Sequence, residues 1–181
     1  MIDLHIIGWH ETLPASSRAR RRGRLVLSLL TVLLALTACD PDRVFEQNID
    51  FKDYSWDVQQ KPSFTFQIQD TVARYNLFFN VRNASAYGYY NLYLKQTLIG
   101  PAGPVGRPRL HELILMDPKT GEPRGSGTGD IFDHQLLALP RMKFRQAGAY
   151  TLTLEQYMRQ EQLPGLMAVG LRVAKVMPKG K

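Results

Sequence analysis

The chain has a single cysteine, Cys39, in 181 residues, so no disulfide can form within it. It also lacks an apolar run long enough for a permanent membrane span. The longest, Leu25 to Leu36, is 12 residues, which as a helix reaches about 18 Å against a hydrocarbon core of about 30 Å. Histidine is scarce as well. Beyond Cys39 there are only His111 and His134, and neither has a second ligand at finger or helical spacing, so the sequence offers no zinc motif. None of Ser63, Ser85 and Ser126 sits in a nucleophile elbow. The "GSGTGD" stretch at 125 to 130 has spaced glycines but no following lysine or helix start, which removes the phosphate-loop reading. Its glycines are expected to supply positive φ angles in a long hairpin connection.

What is present is unevenly placed. The formal charge of +7 looks like a nucleic-acid signal, yet Arg18, Arg20, Arg21, Arg22 and Arg24 supply five of the 23 positive charges within seven residues. If the chain is cut before Cys39, 18 Lys and Arg remain against 14 Asp and Glu, with no basic run. A nucleic-acid partner is not expected.

Clustered arginines, a short apolar run, small residues and then a cysteine describe a secretory leader. Leu36, Thr37, Ala38 and Cys39 look like a bacterial lipobox. Leucine fills an apolar subsite, the small residues let the scissile bond be approached, and the thiol is acylated before cleavage. The alternative, a buried thiol after a core helix, fits poorly with five preceding arginines and the polar, proline-containing segment that follows. No further motif joins Arg20 and Arg21 in support of twin-arginine export. The first 17 residues exceed what a leader needs, which points to a start set too early.

Downstream, the polar segment from Asp40 to Pro62 reads as a tether that becomes the first edge of the fold. "FTFQIQ" (64 to 69) then alternates Phe64, Phe66 and Ile68 with polar residues, the period of a strand with one buried face. Tyr75, Leu77, Phe79 and Val81 share a face in the next run, and Leu92, Leu94 and Leu98 in the one after. Further strands are expected at 110–116, 150–158 and 168–176. The Gly- and Pro-rich stretches between them predict an antiparallel sandwich or barrel. A helix is the competing reading of 131–144, shortened by Pro140.

Two clusters raise functional readings. Asp117, Glu122, Asp130 and Asp133 suggest calcium or paired catalytic carboxylates, but Asp117 heading D-P-K-T-G reads better as a turn initiator. Tyr87, Tyr89, Tyr90 and Tyr93 would stack on sugars or anchor a partner if exposed, and would pack one end of the domain if buried. Packing is favoured, because alternation puts Tyr90 on the face opposite Tyr89 and Tyr93.

The order of "VFEQNIDF" (44 to 51), Trp56, "FTFQIQD" (64 to 70), "YNLFFNVRN" (75 to 83), "YYNLYL" (89 to 94), "GSGTGDIF" (125 to 132), "AGAYTLTLEQYMR" (147 to 159) and "VGLRV" (169 to 173) after a lipobox cysteine resembles the GldH gliding-motility lipoproteins of Bacteroidota. That resemblance implies a cell-envelope lipoprotein of the gliding apparatus, linked to type IX secretion, with no catalytic motif to carry over. Asp70, Arg82, Asn83 and Gln156 carry over only as recurring positions, and turn chemistry accounts for the Arg82-Asn83 pair.

The expectation is therefore an all-β antiparallel sandwich, jelly-roll or immunoglobulin-like. A signal peptide spans 1–38, a lipidated N-terminus and tether 39–62, and the sandwich 63–178. Cys39 is the expected lipidation site, and it anchors the chain in the cell envelope, facing the periplasm. No catalytic, cofactor-binding or metal site is expected. The partners are the membrane, through acylated Cys39, and other envelope proteins of the gliding or secretion machinery. The competing function is a lipid-anchored protein that binds or cleaves glycans.

Overall fold

The computed structural model describes residues 40–177, so the leader, Cys39 and the last four residues lie outside the described residues. Two antiparallel sheets pack face to face as a sandwich. The first has strand order β1 (Arg43–Asp50), β12 (Leu166–Lys175), β4 (Tyr75–Ala84), β9 (Ile131–Met142) and β8 (Ser126–Thr128). The second runs β3 (Ser63–Ile68), β10 (Gly148–Gln156), β5 (Asn91–Gly100). Its far edge is shared by β6 (Gly103–Pro104) and β7 (Arg109–Ile114), which both pair with β5. A two-stranded ribbon of β2 (Ser55–Asp57) and β11 (Gln162–Pro164) closes one end.

The period-2 pattern explains the core. Phe64, Phe66 and Ile68 on β3, and Tyr75, Leu77, Phe79 and Val81 on β4, are buried from the two sheets toward each other. Burying each such side chain contributes about 1.5–3 kcal/mol. Phe66, Tyr75, Phe144 and Tyr150 form an aromatic knot, with Phe144 4.6 Å from Tyr150 and 5.5 Å from Tyr75 between ring centroids. Trp56 is fully buried, stacks on Phe51 at 4.8 Å, and donates its indole N–H to the carbonyl of Gln60 at 2.9 Å.

Two expectations change. The segment 131–144 is a strand over most of its length, because its alternating side chains match the register of β4 better than a helix would bury them. Pro140 is absorbed in a bulge: Tyr75 faces Met142 and Leu77 faces Leu139, and Arg141 takes φ 51°. The amide of Arg141 donates to Oδ1 of Asn76 at 2.9 Å, which supplies the bond the ladder omits there.

The second concerns the polar N-terminal segment. Its strand begins at Arg43, so the folded domain starts well before residue 63 and the connector after Cys39 is short. Charged and amide side chains at Glu46, Asn48 and Asp50 hid this strand because they lie on the solvent face of the first sheet's edge, while Phe45 and Ile49 face inward.

Candidate functional site

The tyrosine cluster divides between the two roles foreseen for it. Tyr87 is buried, and its hydroxyl donates to the carbonyl of Asn91 at 3.0 Å. Burial pushes its phenol pKa far upward, so it stays neutral. Tyr89 and Tyr90 are 37% and 46% exposed. With Tyr93 from β5 they line an open cleft of about 640 Å³.

Residues distant in sequence complete this cleft. Pairing of β10 with β5 brings the loop 157–160 beside Tyr93, where the amide of Tyr157 donates to the carbonyl of Tyr93 at 2.8 Å. Tyr157 is 60% exposed, and Leu110 of the neighbouring β7 is 55% exposed. Met158, Arg159 and Gln160 form the remaining wall. Single-sequence reading missed Tyr157 and Leu110, since only the strand pairings place them here.

Gln156 holds that wall in place. Its side chain is buried, donates to the carbonyl of Gln160 at 2.8 Å and accepts from the amide of Met158 at 2.9 Å, tying both ends of the loop to one residue. Across the cleft, the Glu112 carboxylate takes a hydrogen bond from Asn91 at 2.7 Å. Its bond to the Tyr93 hydroxyl, more than burial, raises that phenol's pKa. The surface is thus a rigid aromatic platform flanked by an arginine, amides and a carboxylate, suited to stacking and hydrogen bonding.

The carboxylates considered for calcium or catalysis are not brought together. Asp117 accepts from the amides of Lys119 and Thr120 and pairs with Arg124 at 3.1 Å, the turn role foreseen for it. Those hydrogen bonds hold its carboxyl below the usual carboxylate range. Asp133 makes a two-pronged pair with Arg82 across the strands, at 2.8 and 3.2 Å. Among the described residues no three His, Cys, Asp or Glu side chains are grouped as metal ligands would be.

Arg82 and Asn83 therefore do not act through turn chemistry. Both stand within β4, Arg82 on the solvent face and Asn83 buried against His134. His111 packs edge-on against Phe79 at 5.1 Å, and burial lowers its pKa. In the glycine-rich stretch only Gly129 has a positive φ, at the two-residue turn between β8 and β9. Gly125 and Gly127 serve a different need: a Cβ at either would collide with the backbone of Asp133 or Ile131 on β9.

The family model described as GldH lipoprotein matches residues 43–173, which run from the first residue of β1 nearly to the end of β12. The chain belongs to the GldH lipoprotein family. It is 29% identical over 157 residues to a gliding motility lipoprotein GldH homolog of Christiangramia forsetii, covering 83% of this chain and 94% of that one. It is also 29% identical over 152 residues to the gliding motility lipoprotein GldH of Flavobacterium johnsoniae, covering 80% of this chain and 92% of that one. No solved structure matches. As a GldH-family member the chain is a cell-envelope lipoprotein with an all-β fold.

Proposed function

We propose that this chain is a non-enzymatic component of the gliding machinery, linked to type IX secretion and held at the membrane by acylated Cys39 with its sandwich in the periplasm. The observation that carries this reading is coverage. More than nine-tenths of each of two gliding motility lipoproteins aligns with this one chain, so it corresponds to nearly all of each relative. The tyrosine cleft gives such a component a surface for other envelope proteins, since exposed tyrosines supply contact area at low entropic cost.

The test is replacement of the family member in a gliding host by this chain, with colony spreading and secretion of type IX cargo both measured. Restoration of both supports the reading. A stably expressed, membrane-associated chain that restores neither contradicts it.

The second reading, a glycan-binding protein, draws on the same cleft, because sugar rings stack on tyrosine faces beside arginine and amide groups. Titration of cell-envelope glycan fragments against the Tyr90 and Tyr157 resonances separates the two. Saturable shifts favour the glycan.

A further inference from the structure

The fold gathers charge that the sequence scatters. The first strand starts at Arg43, which pairs with Ala174, and the amide of Lys175 donates to the carbonyl of Asp42 at 2.8 Å. The same end of the sandwich holds the start of β4, the end of β9 and the start of β10. Six cations collect there: Arg43, Arg74, Arg141, Lys143, Arg145 and Lys175. Arg43 pairs with Glu46 and Lys175 with Asp70, but among the described residues no acid lies within ion-pair distance of the other four. The same end also holds Asp42, Glu46 and Asp70, fewer acids than cations, whereas the opposite end mixes the signs, with Asp53, Asp57, Asp130 and Glu161 beside Lys52, Lys119, Arg124 and Arg159.

The same basic end exposes apolar side chains. Val72, at the tip of the β3–β4 connection, is 87% exposed, and Met177 is 56% exposed. The Val72 loop is not slack. The Asp70 carboxylate accepts from the amides of Val72 and Ala73 at 2.9 and 3.0 Å and pairs with Lys175 at 3.2 Å, fixing the tip in place.

Covalent reach supplies the occupant. Asp42, in the turn just before β1, is tied to the end of β12 by its hydrogen bond from Lys175, and only three residues follow Cys39 to reach it, so chain length alone keeps an acylated Cys39 within about 11 Å of Asp42. That is close to the Debye length of ~8 Å at physiological salt. Resting on the acyl-anchor reading, we infer that this end of the sandwich seats on the membrane, its cations on anionic phospholipid headgroups and Val72 among them. Basic side chains near such a surface add to an acyl anchor and orient what it carries. The tyrosine cleft, which lies at the other end, is then turned away from the membrane.

The test uses the full chain purified with its anchor and labelled at one introduced cysteine, Val72→Cys or, at the far end, Lys119→Cys. Each is reconstituted in phosphatidylcholine vesicles with or without phosphatidylglycerol, together with a headgroup-attached quencher. Quenching at position 72 is expected to exceed that at 119 at least twofold, to grow with phosphatidylglycerol and to fall back in 1 M salt. The triple variant R74Q/K143Q/R145Q should lose the phosphatidylglycerol dependence. Equal quenching at both positions, or indifference to phosphatidylglycerol, overturns the inference. Mass measurement separates two failures. An unacylated chain removes the anchor and this inference with it, whereas an acylated chain with equal quenching overturns the inference alone.

Discussion

Nε2 of His134 lies 2.8 Å from Oδ1 of Asn83, and both side chains are buried. The amide nitrogen of Asn83 donates to the carbonyl of Ala84 at 3.0 Å, which leaves its oxygen as the acceptor and makes Nε2–H the donor. Asn83→Ala strands that donor inside the sandwich. We expect a loss of about 1–3 kcal/mol in denaturant titrations, with Asn83→Asp a separate probe, since a carboxylate there would favour the charged ring.

The same histidine gives the stability a pH dependence. Burial lowers the pKa of His134 below 6.5, against a smaller opposing effect of Asp133, and burial likewise lowers that of His111. Below pH 6.5 the unfolded chain takes up these protons before the folded one does, so stability present above that pH is lost as pH falls through the folded values. The carboxylates of Asp70, Asp117 and Glu155, held low by hydrogen bonds, add a further loss only below about pH 4. Melting curves from pH 7.5 to 4.5 should show the first loss, and His134→Gln should flatten part of it. An unchanged slope in that variant assigns the dependence elsewhere.

Phe66→Ala and Leu77→Ala should each cost about 2–5 kcal/mol, as deletions of large, fully buried side chains do. Thr65→Ala should matter far less, for its hydroxyl meets that of Thr151 on the solvent face. Asn76→Ala falls between, at about 1 kcal/mol, because Asn76 holds the bulge at Arg141. Urea titration of the four variants ranks them, and a Thr65 effect equal to that of Phe66 would contradict the register.

Gly170 on β12 lies under the side chain of Asn48. A Cβ there would meet Asn48 Oδ1 and stand 2.7 Å from the carbonyl of Gln47 on the neighbouring β1. Gly170→Ala should loosen β1 from the sheet, costing about 1–3 kcal/mol. Hydrogen exchange should show it as faster exchange in Glu46–Ile49 than in β5.

Tyr157→Ala and Gln156→Ala divide surface from scaffold. Tyr157 is exposed and its loss should leave the melting temperature within about 2 °C while reducing crosslinking to envelope proteins. Gln156→Ala should reduce both, because one buried amide fixes both ends of the loop. Unchanged crosslinking in both variants would show that the cleft is not a partner surface.

The strands with one buried face were legible because alternation of residues such as Phe64, Phe66 and Ile68 is local information. Strand β1 was not, since an edge strand on a solvent-facing sheet repeats polar residues much as a linker does. Sequence also showed the tyrosines at 87 to 93 without Tyr157, and cations at 43, 74, 141, 143, 145 and 175 without their common end. Both groupings depend on strand pairings between residues far apart in the chain, which no local pattern records.

Cys39 carries the proposed membrane anchor. Intact-mass and peptide analysis of the chain recovered from membranes should find a mature N-terminus at Cys39 carrying acyl groups, and accumulation of uncut precursor for Cys39→Ser. An unmodified Cys39, or a normally processed and lipidated Cys39→Ser chain, would contradict it.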